Sequence, residues 1–76
     1  MTAATVYTTP GCVQCNATFR ALDNAGITYT TVDVSTDAAA VEKLRKLGHT
    51  QAPVVITETD HWSGFRPDKI SELAAA

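Results

Sequence analysis

Val6-Tyr7-Thr8-Thr9-Pro10-Gly11-Cys12-Val13-Gln14-Cys15 is the stretch that decides the fold. Up to Thr8 the chain is short, β-branched and aromatic, then stops at Pro10-Gly11, which reads as a strand followed by a turn. Beyond the turn the period changes. Cys15, Phe19 and Leu22 fall at i, i+4 and i+7, Ala21 and Ala25 widen the stripe, and Gly26 stands where a helix would be capped. A strand therefore hands over to a helix at Cys12. The unpaired N–H groups and positive dipole end of such a helix stabilise a thiolate, the reactive form of cysteine. Cys12 is placed to attack; Cys15, one turn deeper on the apolar stripe, is placed to resolve the mixed disulfide that results.

Working outward, Ile27 to Val34 reads as a second strand. Ser35, Thr36 or Asp37 can cap a second helix, with Val41, Leu44 and Leu47 on one face, Glu42 and Lys46 paired on another, and Gly48 at its end. Pro53 opens the apolar run Val54-Val55-Ile56-Thr57, and a turn near Glu58-Thr59-Asp60 leads to His61-Trp62-Ser63, a hairpin. Pro67 suits the first position of a last helix, with Asp68 near its positive end, Ile70, Leu73 and Ala74 facing inward, and Ala74-Ala75-Ala76 as a frayed end. The order is β-α-β-α-β-β-α. This predicts an α/β fold: a four-stranded mixed sheet flanked by three helices, its first βαβ unit parallel and right-handed.

The totals limit the alternatives. Seventy-six residues make one domain, 1–76, that must rely on a small core. A net charge of −2 with scattered Lys and Arg speaks against nucleic acid as a partner. No apolar run approaches the roughly 20 residues of a membrane span. Met1 to Gly11 lacks the basic and apolar segments of a signal peptide, which points to the cytoplasm. Two cysteines three positions apart would staple almost nothing, so the pair is there for chemistry. Zinc wants four ligands, and His49 and His61 have no finger or ribbon spacing, so both read as surface or loop histidines and no metal is expected. A cluster shared between two copies is the competing use of two close thiolates; nothing in the chain demands more than a monomer. Pro53 either simply begins its strand or follows Ala52 through a cis bond that lays backbone beside Cys12 for a substrate peptide. The upstream cysteine pair favours cis.

Val6-Tyr7-Thr8, Cys12-Val13-Gln14-Cys15, Gln51-Ala52-Pro53-Val54-Val55 and Trp62-Ser63-Gly64-Phe65-Arg66-Pro67-Asp68 together resemble the NrdH redoxins over nearly the whole chain. The resemblance implies a glutaredoxin-like fold of the thioredoxin superfamily. It implies electrons taken from NADPH-dependent thioredoxin reductase and passed to the large subunit of class Ib ribonucleotide reductase, with no cofactor beyond the redox-active Cys12–Cys15 pair. It makes Cys12 the nucleophile, Cys15 the resolving thiol and Pro53 the cis-proline. Ala52, Pro53, Trp62 and Phe65 become substrate contacts, and Gln51, Ser63, Arg66 and Asp68 the surrounding signature. Trp62 can equally be a cover over the sheet, and Arg66 and Asp68 can pair to fix the loop before the last helix. Glutathione-using relatives carry a lysine three positions before the first cysteine and Gly-Gly followed by acids after the last strand. Here those places hold Thr9 and Ser63-Gly64-Phe65-Arg66. Losing two charge-assisted contacts of about 1.5–3 kcal/mol each weakens glutathione binding by roughly two orders of magnitude or more. The alternatives are a glutathione-dependent glutaredoxin or a general protein disulfide reductase.

Overall fold

Alternation along the first strand sorts the molecule into layers: Ala4 and Val6 point to one side of the sheet and Tyr7 to the other. The computed structural model describes residues 3–75. The elements run β1 (Ala4–Thr8), α1 (Val13–Asn24), β2 (Tyr29–Asp33), α2 (Ala38–Lys46), β3 (Val54–Ile56), β4 (His61–Ser63) and α3 (Pro67–Ala75), in the order read from the sequence. The sheet order is β2-β1-β3-β4; β1 and β2 are parallel, while β3 is antiparallel to both β1 and β4.

Register carries the alternation across the sheet. Val6 lies opposite Val55 and Val55 opposite Trp62, so these side chains share one face. There they pack with Leu22 of α1 and Ile70 of α3, with Phe19, Ala21, Tyr29 and Leu73 at the margin. Tyr7 lies opposite Val54 on the other face, which packs with Ala40 and Leu44 of α2. Val6, Leu22, Val54 and Val55 are fully buried, each stabilising the fold by about 1.5–3 kcal/mol relative to an exposed side chain.

Capping sets the helix bounds. Asp37, among the three candidates, accepts the Ala40 N–H at 3.0 Å and starts α2. Gly26 (φ +71) and Gly48 (φ +87) follow the ends of α1 and α2 in the left-handed conformation that only glycine adopts without strain. Thr57 closes the β3–β4 turn, donating its N–H to the Asp60 carbonyl while its hydroxyl accepts the Asp60 N–H.

Several expectations are corrected. The second strand begins at Tyr29 and ends at Asp33, because Ile27 N–H is taken by Leu22 C=O in the α1 C-cap. On α2, Ala40 and Leu44 are the buried pair; Val41 and Leu47 are left 40% and 37% exposed, since a lone nine-residue helix turns only a narrow stripe inward. Glu42 pairs with Arg45 at i+3 and not with Lys46. Ala25 and Ala74 are exposed, being too small and too near helix ends to reach the core. Ala74 and Ala75 are helical, and the fraying expected at Ala76 lies outside the described residues. His49 and His61 do sit in a loop and at a strand edge, but they are not separate: His49 Nε2 and His61 Nδ1 are 2.7 Å apart.

Candidate active site

Cys12 is the N-cap of α1, in extended conformation, and its Sγ accepts the Cys15 N–H at 3.1 Å. The turn before it depends on Gly11 at φ +74. One of the four N–H groups that a helix leaves unpaired at its start is thus aimed at the Cys12 sulfur, reinforced by the positive end of the helix dipole. No acidic side chain occupies the first turn to oppose that field. Cys15 sits one turn in, 1% exposed, on the side that buries Leu22, while Cys12 remains half-exposed. The two sulfurs form a disulfide. Chemically, the pair offers one accessible sulfur held at a helix mouth and one covered sulfur behind it.

Two loops stand around the cysteines, and the segment Ser63–Phe65 joins them. Ser63 Oγ donates to the Gln51 carbonyl at 3.0 Å, and Gly64 N–H donates to the Pro53 carbonyl at 2.8 Å. Phe65 N–H donates to Gln14 Oε1 at 3.3 Å, reaching the turn that lies between the two cysteines. The Ala52–Pro53 bond is cis, as the sequence reading favoured, and Pro53 is buried at the head of β3 while Ala52 is half-buried. Val13, 80% exposed, and Phe65, 38% exposed, are apolar side chains left facing solvent on this side. Beyond Ala52 a cavity of about 270 Å³ opens between α2 and the loop leading to β3, bordered by Val34, Val41, Leu44 and His49.

Of the residues singled out in the sequence, Cys12, Cys15, Gln51, Ala52, Pro53, Ser63 and Phe65 are thus tied into one region. Trp62 is not on its rim. It is 5% exposed and belongs to the core beneath α1 and α3, so its place is the cover over the sheet. Register explains this: opposite Val55, its side chain must share the inner face. Arg66 and Asp68 do pair, and the structure shows that they do so through two hydrogen bonds, at 3.1 and 2.9 Å, just where α3 starts. The pairing holds the Asp68 carboxyl below its ordinary pKa through the Arg66 hydrogen bond.

Two residues escaped the sequence reading. Gln14 has no role of its own in the sequence reading of Cys12-Val13-Gln14-Cys15, since a polar residue at the start of a helix carries no periodic signal. Thr18, and not Phe19, is the fully buried neighbour of Cys15 and Leu22. Its hydroxyl donates to the Gln14 carbonyl at 2.9 Å, which is how a mid-helix threonine can be buried without an orphaned donor. Phe19 lies at the margin, stacked on Tyr29 with ring centroids 5.7 Å apart. Among the described residues no group of three or more His, Cys, Asp or Glu side chains is arranged to hold a metal, and no helix is long and apolar enough to cross a membrane.

The geometry has known counterparts. The Glutaredoxin family model matches residues 4–62. The glutaredoxin-like protein NrdH of Escherichia coli K12 is 47% identical over 72 residues, covering 95% of this chain and 89% of that protein. NrdH of Lactococcus lactis is 31% identical over 92% of this chain and 97% of its own. The solved structure of the E. coli NrdH-redoxin superposes with a TM-score of 0.89 over 92% of each chain. A glutaredoxin from Archaeoglobus fulgidus, only 22% identical, shares the fold with a TM-score of 0.86. The half-exposed and buried cysteines at the mouth of α1 thus stand in a thioredoxin/glutaredoxin-like frame, and the chain belongs to the glutaredoxin family as an NrdH-type redoxin, a thiol–disulfide oxidoreductase.

Proposed function

We propose that this chain is a cytoplasmic dithiol electron carrier, reduced by NADPH-dependent thioredoxin reductase and donating electrons to the large subunit of class Ib ribonucleotide reductase. The observation that carries the reading is the unequal pair at the helix mouth, Cys12 half-exposed with an N–H aimed at its sulfur and Cys15 covered, in a chain 47% identical to an NrdH protein. The E. coli NrdH-redoxin is described as glutaredoxin-like with a thioredoxin-like activity profile. A donor other than glutathione is supported here by Thr9, which has no charge for a glutathione carboxylate, and by Arg66, a cation already engaged with Asp68.

In the reduced protein the Cys12 thiolate attacks one sulfur of the acceptor disulfide. That S–S bond breaks, a mixed disulfide forms, and the leaving thiolate takes a proton. Cys15 loses its proton and attacks the Cys12 sulfur, releasing the second acceptor thiol and closing the Cys12–Cys15 disulfide. Two electrons and two protons have passed to the acceptor. Thioredoxin reductase reverses these steps with electrons from NADPH, so the carrier needs no cofactor of its own. The exposed Phe65 ring and the backbone at Ala52, whose neighbour Pro53 is itself buried, are the surface against which the partner docks, and the carrier works as a monomer.

The test is NADPH oxidation with purified thioredoxin reductase and a disulfide acceptor, run beside glutathione with glutathione reductase. Turnover is expected in the first system. Turnover confined to the second would replace this reading with a glutathione-dependent glutaredoxin. Cys12→Ser should abolish turnover in either system while leaving the circular dichroism spectrum unchanged.

A further inference from the structure

Gln14 crosses a gap of 51 residues in sequence to meet Phe65. The contact is polar and directional, with the Phe65 N–H as donor, so only the amide oxygen of Gln14 can accept it. Its other end is fixed. The Gln14 carbonyl accepts the Thr18 hydroxyl at 2.9 Å, and Thr18 is fully buried, with Cys15 and Leu22, on the inward side of α1. The receiving turn is shaped for the approach. Gly64 holds φ +84, and a Cβ built there would stand 3.4 Å from Gln14 Oε1, in contact with it. The same turn is tied on its far side, where Gly64 N–H reaches the Pro53 carbonyl. Gln14 is therefore the link on the cysteine side of a clamp whose other jaw is the Pro53 loop, and the Phe65 ring is the apolar group the clamp leaves exposed.

We propose that Gln14 is a positioning residue for protein substrates: by accepting the Phe65 N–H it holds the Gly64–Phe65 turn against the first turn of α1, so that Phe65 presents a fixed apolar contact beside the cysteines. This rests on the reading of Phe65 as part of the docking surface. The contact touches neither sulfur, so the chemistry of the dithiol itself does not depend on it. A large protein disulfide, which must rest on the rim to reach Cys12, feels the loss. A small disulfide, which needs only the exposed sulfur, does not. Rim contacts are held together by preorganisation, and a loosened turn must be ordered again at each encounter.

Two substitutions separate the acceptor atom from side-chain bulk. Gln14→Met keeps length and volume but has no comparable acceptor; Gln14→Glu keeps an oxygen at the same place. Pre-reduced wild type and variants are mixed with insulin as the protein disulfide and with 5,5′-dithiobis(2-nitrobenzoate) as the small one. Amide exchange of Phe65 is followed by NMR. Gln14→Met is expected to slow insulin reduction about fivefold, to change the small-disulfide rate less than twofold, and to speed Phe65 exchange about tenfold. Gln14→Glu is expected to retain Phe65 protection and to keep its insulin rate, relative to its small-disulfide rate, at the wild-type ratio. Equal losses on both disulfides, or unchanged insulin reduction despite faster Phe65 exchange, would overturn the proposal. Phe65→Ala identifies which idea has failed. If it slows insulin reduction and Gln14→Met does not, the docking surface stands and the role of Gln14 falls. If Phe65→Ala has no effect, the docking surface itself is wrong and the role of Gln14 falls with it.

Discussion

The two faces of the sheet are covered unequally. On one, α1 and α3 together close over Val6, Val55 and Trp62, with Leu22 fully buried between them. On the other, α2 alone reaches Tyr7 and Val54 through Ala40 and Leu44, and beside it lies the cavity bordered by Val34, Val41 and Leu44. Two helices can fill the groove between them with interdigitating side chains; one nine-residue helix leaves its flanks wet. Cys15 is buried on the same helix, α1, that turns Leu22 into this face, so the covered sulfur belongs to the better-covered half of the molecule. The looser face ends at Ala52, next to the loop that leads into Pro53. In a chain this small, the closer covering falls on the helix that buries Cys15, and the space left over lies on the other face, bordered by Ala52 and the loop before Pro53.

The largest effect tests the closed face. Leu22→Ala should cost about 2–5 kcal/mol, because neighbouring side chains from α3 and three strands cannot collapse into the void. Thermal unfolding should shift down by about 10 °C or more. The same truncation on the other face, Leu44→Ala, should cost about 2 kcal/mol, at the low end of that range, since the lost volume opens into a cavity that is already there. Equal losses at the two positions, measured by urea denaturation, would erase the distinction between the faces.

The smallest effect lies at the edge that bounds the closed face. Asp60 in the β3–β4 turn accepts from Lys69 of α3 at 2.9 Å, and that hydrogen bond, helped by the His61 backbone N–H, holds its carboxyl below the usual pKa. A carboxyl depressed by folding stabilises the native state above its unfolded pKa of about 3.9 and loses that contribution as pH falls through the lower folded value. Asp60→Asn should therefore lower the melting temperature by a small, constant amount from neutral pH to about pH 5, less than Leu44→Ala does. Below about pH 4 the difference should shrink. A gap that widens with acid would show that Asp60 does not tie α3 to the sheet.

Much of this arrangement was legible along the chain because the signals are local. Pro10-Gly11 before a 3.6-residue pattern places Cys12 at a helix mouth, Gly26 and Gly48 stop two helices, and one of Ser35, Thr36 and Asp37 starts the second. Each of these follows from backbone sterics or an unpaired N–H within four residues. The misreadings have a common source. Phe19, Val41 and Leu47 are apolar at helical spacing, yet Thr18 and Ala40 take the buried positions, because the inward direction of a helix is chosen by the sheet it meets.

By itself, the sequence determined the order of elements, the boundary between strand and helix at Cys12, and the inequality of the two cysteines, since periodicity and capping act over a few residues. Only the tertiary structure decided that Trp62 is buried beneath the helices, that His49 meets His61, and that Gln14 reaches Phe65. Those contacts join residues 12 to 51 positions apart or depend on strand register, and no local preference encodes which distant groups the packed sheet will bring within 3 Å or so of each other.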